Sequence, residues 1–253
     1  MPVKTLYIDV ETTPNTLSGW GLREQNFGIN QVLEPSRLLC FAAKWAHKDT
    51  LMFSAEWQKA GRQAMLDKAH RLLDEADEVV AHNAPFDVKQ LNTGFWLAGM
   101  APPAPYKVVD TLRPIRRQFF LTSNRLDFIA RVLNLEGKVS HEGHGLWLAV
   151  MEGNRNARAL MTEYNKQDVV LLEQVHRALA ANGWLPNGAH HGALLDLPDG
   201  CPGCGSLNVQ RRGYAVSNAG RKQRFQCSDC GTWAQSARMV KGTGTSLRRL
   251  VNQ

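Results

Sequence analysis

The sequence predicts an α/β layered domain followed by a small cysteine-held appendage, and three observations carry that reading. Strands come first along the chain and then alternate singly with helices, the order expected of a mixed sheet covered by helical layers. Four of the five cysteines fall in two C-x-x-C pairs beyond residue 200. Charge divides at the same place. From Cys201 onward nine Lys/Arg face one acid, Asp229, whereas residues 1–200 hold 21 basic and 22 acidic residues.

With 253 residues, 43% of them hydrophobic, the chain is long enough for one full-sized domain and an appendage, or for two modest domains. No apolar run is long enough to cross a bilayer, and the start MPVKTLYIDV lacks a signal-peptide pattern. The expected location is therefore the cytoplasm, with no membrane partner. Net charge is +7, concentrated in the basic tail, and such a tail suits a polyanion because each neutralised phosphate releases counterions. A basic extension that is merely soluble has the same composition.

The first strand is Leu6-Tyr7-Ile8-Asp9-Val10-Glu11, ended by Thr12-Thr13-Pro14. Side chains alternate along a strand, so Leu6, Ile8 and Val10 share one face while Asp9 and Glu11 share the other. Adjacent carboxylates repel, so gathering them makes sense around a cation; a solvated strand edge is the plainer alternative. A loop-rich piece with Gly19, Trp20, Gly21 and Pro35 follows. Arg37–Trp45 then reads as a buried strand containing Cys40 as a small core residue, and Thr50–Phe53 as a short strand. Short connections make this an antiparallel start to the sheet.

Ala60–Ala76 repeats apolar residues at helical spacing. Glu78–His82 reads as a strand and Pro85–Leu97 as a helix, with Pro85 in its first turn and Asn83 as its cap. Asp87 then lies in the first helical turn at a strand end, where α/β domains place ligands, although an acid there also complements the helix dipole. Phe86 is expected in the core. Tyr106–Asp110 is a strand, and Asp110 is expected to cap the helix Leu112–Phe120. Arg113, Arg116 and Arg117 form one basic face of that helix, either a guide for a strand or a solvated surface. Leu126–Leu133 is a helix capped by Ser123 or Asn124, and Gly137–Gly145 is a Gly/His loop whose His141 and His144 have no ligand pattern. Helices follow at Leu146–Glu152 and Ala157–Leu179, the second with a break near Tyr164. Tyr164 and Asp168, four apart, share a face above the apolar stripe of Leu171, Leu172, Val175 and Leu179. An acid heading such a stripe is costly unless paired or bound to metal; a surface Tyr-Asp pair is the alternative.

Taken in order, D-x-E in the first strand, N-x-x-F-D after a middle strand and Y-x-x-x-D on a late helix resemble the DEDD superfamily of 3′–5′ exonucleases, in its Tyr-containing branch. The resemblance covers residues 1–182. It implies the DnaQ-like, ribonuclease-H-like fold: a mixed β-sheet flanked by helices. It also implies two Mg²⁺ or Mn²⁺ ions held by Asp9, Glu11, Asp87 and Asp168. In the family pattern Asp9 bridges both ions, Glu11 and Asp168 complete one site, and Asp87 acts on the other largely through water. Tyr164 orients the attacking water, since a phenol near its ordinary pKa of about 10 is a poor base at neutral pH. Thr12 and Thr13 could hold the terminal nucleotide, and Asn83 could contact substrate if it is not simply a cap.

Residues 183–200, with Gly, Pro and paired His190-His191, read as a linker. Cys201-Pro-Gly-Cys204-Gly and Cys227-Ser-Asp-Cys230-Gly are two knuckles whose spacing suits one structural Zn²⁺, and in a chain without an export signal metal binding is preferred to disulfides. Segment 201–240 resembles a zinc ribbon, with a hairpin between the knuckles, and 241–253 reads as a flexible basic tail. Arg211, Arg212, Arg221, Lys222 and Arg224, interleaved with Tyr214, Phe225 and Trp233, suit nucleic acid: charge for phosphates, rings for bases. A protein partner, such as a replisome component, is the alternative.

The resulting expectation is a metal-dependent 3′–5′ exonuclease acting mainly on single-stranded DNA, with RNA or branched DNA as further candidates. Its layout is similar to stand-alone exonucleases of bacteriophage replication or recombination. A ribonuclease or structure-specific endonuclease on the same scaffold is one rival, and a non-catalytic zinc-ribbon adaptor is the other.

Overall fold

Strand β1, Thr5–Thr12, lies at the centre of a five-stranded sheet. Its alternation decides what covers each face. Leu6, Ile8 and Val10 point into a core filled by Met65, Leu66, Ala69, Leu72 and Leu73 of α1 (Gly61–Asp74) and by Leu91 and Phe95 of α2 (Ala84–Leu97). These two helices pack closely: a Cβ at Gly94 would stand 2.8 Å from the Leu66 side chain. On the opposite face Tyr7 joins Val80, Val109, Val169 and Leu172.

The computed structural model describes residues 3–20, 26–135, 143–185, 200–217 and 220–236, with backbone alone for 215–217, 220 and 221. The chain divides into two compact units, Met1–Ala178 and Leu179–Gln253. In the first, β1 is followed by β2 (Thr16–Leu17), β3 (Val32–Glu34), β4 (Leu38–Trp45) and β5 (Leu51–Ala55). After α1 come β6 (Glu78–Ala81), α2, β7 (Lys107–Asp110), α3 (Leu112–Gln118), α4 (Leu126–Val132), α5 (His144–Met151) and α6 (Arg155–Ala181). β1, β4 and β5 pair antiparallel, while β6 joins β1, and β7 joins β6, in parallel. All eight residues of β4 are buried, so apolar residues fill both of its faces, with Lys44 as the one charged member.

Helix α6 lies over the Tyr7 face and is locked there by polar as well as apolar contacts. Lys44 of β4 forms an almost fully buried ion pair with Glu173, which Arg177 also reaches at 2.6 Å. The Tyr7 hydroxyl lies 3.0 Å from His176 Nδ1. Burial and the Glu173 charge push the Tyr7 phenol up to about 12, so it remains a neutral partner. Breaking such a buried pair from one side leaves a charge uncompensated, so the network fixes the rotation and height of α6 against β1.

Several expectations need correction. Helix α6 is continuous from Arg155 to Ala181, with no break near Tyr164, because its apolar stripe is buried along the sheet. The piece between β1 and β4 is not all loop: β2 and β3 form a two-stranded ribbon. Helix α4 starts after Arg125 without a side-chain cap; Ser123 Oγ accepts from Arg125 N–H at 3.3 Å, and Asn124 offers its carbonyl to His82. Phe86 is not core but 42% exposed, because Asp87 takes the inward position at the start of α2.

In the second unit β8 (Val209–Ser217), β9 (Gly220–Cys227) and β10 (Trp233–Gln235) form an antiparallel sheet of order β10-β9-β8. The hairpin matches the sequence reading; β10 was not expected. Residues 136–142 with His141, most of the 183–200 segment with His190 and His191, the 241–253 tail and the Arg221 side chain lie outside the described residues. Among the described residues no helix is long and apolar enough to cross a membrane.

Candidate active site

Strand alternation carries Asp9 and Glu11 onto the face of β1 that α6 covers, and α6 returns Asp168 to the same point. One carboxylate oxygen from each of the three lies within 4.8 Å of the others. The register of β1 on β4 shifts between Glu11 and Thr12, so the alternation that aligns the acids ends just beyond them. Asp87, at the head of α2, is buried with Oδ1 accepting from the Val10 N–H at 3.2 Å, which brings a fourth carboxylate beside this cluster.

Electrostatics mark the group as poised for a cation. Burial first, then repulsion from Asp168, Glu11 and Asp87, holds the Asp9 carboxyl well above the usual range. Burial and Asp168 push Glu11 up to about 8. Asp87 rises to about 7, chiefly through burial, with the Val10 N–H opposing the shift. A set of hard oxygen donors whose own charges oppose one another fits Mg²⁺ or Mn²⁺, which would relieve the repulsion. Tyr164 is pushed far above its ordinary pKa by burial and by Asp168, Glu11 and Asp9, and it makes a hydrogen bond with Asp168. Its phenol is therefore a proton donor here and not a base.

Two further residues belong to the site and were not singled out from sequence. Asn165, fully buried on α6 between Tyr164 and Asp168, donates from Nδ2 to Asp9 Oδ2 at 2.6 Å and to the Asp9 carbonyl at 3.2 Å. The signal that could have found it is an amide one residue after Tyr164 on the buried side of α6. Trp147 of α5 donates to the Glu11 carboxylate, and its ring meets Tyr164 edge-on at 6.1 Å and 73°. Nothing in its local sequence separates it from a core tryptophan. Trp147→Phe keeps the ring but loses the N–H. It should weaken Mn²⁺ binding about 10-fold or more, as outer partners of metal ligands usually do. Titration calorimetry with an unchanged Mn²⁺ affinity would show that this bond does not support Glu11.

The other sequence candidates fall at different distances from this cluster. Thr13 is buried and spent on structure: its N–H donates to the Arg37 carbonyl at 2.9 Å and its Oγ1 accepts from the Arg37 N–H at 3.0 Å. Thr12, at the end of β1, stays half-exposed. Asn83 holds the N-cap position of α2 in a left-handed conformation (φ 70°) without a side-chain cap bond; its N–H donates to Asp110 Oδ1 at 3.0 Å. That same Asp110 oxygen accepts from Leu112 N–H at 2.9 Å. The N-cap of α3 is Thr111, not Asp110, and makes no side-chain cap bond, so Asp110 steadies the helix start from one residue earlier.

The four cysteines of the second unit also converge, with their Sγ atoms mutually within 4.8 Å. Cys201 and Cys230 sulfurs are 3.5 Å apart and those of Cys204 and Cys227 are 3.7 Å apart. These separations are far beyond a disulfide and close to the ~3.8 Å edge of a tetrahedron with Zn–S bonds of about 2.3 Å. Gly205 and Gly231, which close the two knuckles, adopt φ of +76° and +73°. The group could hold a zinc ion. Arg211, Arg212 and Arg224 are exposed, Tyr214 is 42% exposed, and Lys222 and Phe225 are half-exposed. The Arg224 guanidinium lies 5.5 Å from the Trp233 ring.

A family model of the RNase_H superfamily matches residues 28–180, more than half of the chain. The chain belongs to the RNase_H superfamily. Its mixed five-stranded sheet with flanking helices is the RNase H-like α/β fold. Among solved structures, this RNase_H-superfamily chain is similar to the family B DNA polymerase of the hyperthermophilic archaeon Pyrobaculum calidifontis, at 14% identity and a TM-score of 0.51. That match covers 86% of this chain and 31% of the polymerase, so the chain spans less than a third of its length, and at this identity the likeness concerns the fold alone. No curated protein matches the chain.

Proposed function

We propose that this protein is a metal-dependent 3′–5′ exonuclease of the Tyr-containing DEDD type, acting mainly on single-stranded DNA. The observation that carries the reading is the convergence of Asp9, Glu11 and Asp168, with Asp87 beside them and Tyr164 hydrogen-bonded to Asp168. Asp9, Glu11, Asp87 and Asp168 would hold two Mg²⁺ or Mn²⁺ ions. When bound, such ions stabilise the attacking and leaving oxygens of an in-line phosphodiester displacement.

The chain's own residues would align that displacement. Asn165 would fix the Asp9 carboxylate by holding its Oδ2, and Trp147 would hold the Glu11 carboxylate in the same way. Tyr164, kept protonated by the carboxylates around it, orients the attacking water by hydrogen bonding and leaves proton removal to another group. The ribbon, folded around one structural Zn²⁺, would grip the nucleic acid through Arg211, Arg212, Arg221, Lys222 and Arg224, with Tyr214 and Phe225 for bases.

The test uses 5′-labelled single-stranded DNA and its RNA counterpart with Mg²⁺, Mn²⁺ or EDTA. A metal-dependent ladder shrinking from the 3′ end, faster on DNA, is expected. Faster loss of RNA would reassign the substrate, and internal cuts would indicate an endonuclease. Binding without cleavage in either metal would leave an adaptor.

A further inference from the structure

Helix α3 presents a feature that the carboxylate cluster and the ribbon do not use. Arg113, Arg116 and Arg117 are all exposed on it, while Leu112, Pro114 and Ile115 are buried beneath. Among the described residues none of the three has an ion-pair partner. Arg116 and Arg117, in the last turn, complement the helix dipole. Arg113, at the second helical position, opposes it, so helix stability does not explain a basic face running the whole length of α3. Two residues beyond the helix, Phe120 stands with its ring fully exposed. Unpaired arginines beside an exposed ring are the combination that binds a single strand, charge to phosphate and ring to base.

The start of α3 is tied by hydrogen bonds to the turn that launches the Asp87 helix. Asp110 Oδ1 accepts from both Leu112 N–H, at the start of α3, and Asn83 N–H, in the turn that launches the Asp87 helix. His82 lies between Thr111 Oγ1 at 2.9 Å and the Asn124 carbonyl at 2.8 Å, tying both sides of the α3 segment to that turn. Burial holds His82 below its usual pKa, although the Asn124 carbonyl and Asp110 act the other way.

We infer that the α3 face formed by Arg113, Arg116, Arg117 and Phe120 is a docking track for single-stranded nucleic acid. The arginines take the phosphates of the strand leading to the carboxylate cluster, and Phe120 stacks on one of its bases. The inference rests on the nuclease reading above for what lies at the end of the track.

The test measures binding of a labelled oligothymidylate to the zinc-loaded full chain by fluorescence anisotropy, in chelator-free buffer without Mg²⁺ or Mn²⁺, over a range of KCl concentrations. Each phosphate contact on a single strand contributes about 0.7 to the slope of log affinity against log salt. The triple variant Arg113→Gln, Arg116→Gln, Arg117→Gln should lower the magnitude of that slope by about 2, and the triple Lys variant should keep it. Arg113→Gln alone, a single surface change, should lower it by about 0.7. Phe120→Ala should weaken binding about 10-fold with no change of slope. An unchanged slope in the Gln variants together with unchanged affinity in Phe120→Ala would overturn the inference and leave the face to a protein partner. Hydrolysis by the wild-type chain in Mn²⁺ is assayed separately. Its absence would sink the nuclease reading while the slopes still decide the track.

Discussion

Replacing Asp168 by Asn should lower phosphodiester hydrolysis by about 10³-fold or more, and in the absence of metal it should make the protein more stable. Both expectations come from the same geometry. Asp168 is the α6 member of the three-carboxylate group, so its loss removes one of the three donors that could hold an ion there. It is also the largest source of charge repulsion on both Asp9 and Glu11. Without a cation that repulsion is uncompensated, and removing it should raise the melting temperature in EDTA at pH 8 by about 2–4 °C or more. Added Mn²⁺ should stabilise the wild type and do little for the variant. A variant that hydrolyses DNA normally, or that melts below the wild type in EDTA, would mean that these acids are not a cation site.

The pH dependence follows with a definite sign. Glu11 rises from 4.5 to about 8 on folding, and Asp87 rises from 3.8 to about 7. The unfolded chain therefore releases these protons at lower pH than the folded one. Their contribution to stability is complete below about pH 4 and is lost as pH climbs through 7 to 8. In EDTA the melting temperature should fall across that window and then level off, and saturating Mn²⁺ should flatten the fall. A melting temperature that rises with pH in EDTA would contradict the raised carboxyls.

Loss of the metal from the second unit should have a still larger structural effect there. Among its described side chains from Gly200 onward only Cys201 and Cys227 are buried, at 1% and 2% exposure. Among the described side chains the sheet thus has no apolar core to hold it, and a zinc ion on the four thiols would supply the folding energy, about 10–16 kcal/mol for structural zinc. The wild-type chain should carry one zinc per molecule, and Cys227→Ser should carry none. In the variant, the amides of β8 and β9 should exchange with solvent at the rate of an unfolded chain, while those of β1 and β4 stay protected. Protected β8 and β9 amides in a zinc-free chain would show that the ribbon folds by itself.

How much of this was legible beforehand depends on the range of the interaction. Period-two alternation is enough to put Asp9 and Glu11 on one face of β1, and four-residue spacing is enough to put Tyr164 and Asp168 on one face of α6. The two C-x-x-C-G knuckles likewise specify their own turns, and Gly205 and Gly231 adopt the positive φ that those turns require. Local chemistry misjudged Phe86, an aromatic in a buried-looking motif whose inward position belongs to Asp87. It also assigned a side-chain cap to Asn83, where the left-handed backbone and Asp110 hold the turn instead.

The sequence by itself determined the main strands and helices, the acids and thiols available, and the faces of Asp9, Glu11, Tyr164 and Asp168, because backbone periodicity is set within a few residues. The short β2, β3 and β10 carry too few residues for such a pattern. Tertiary structure alone decided that α6 lies over the Asp9 face of β1, through the buried Lys44–Glu173 pair and the Tyr7–His176 contact. It alone brought Asn165 to Asp9 and Trp147 to Glu11, across 156 and 136 residues. Contacts over such separations leave no periodic trace in the chain: they depend on how whole elements pack, and packing is settled by the summed burial of many side chains rather than by any local pattern.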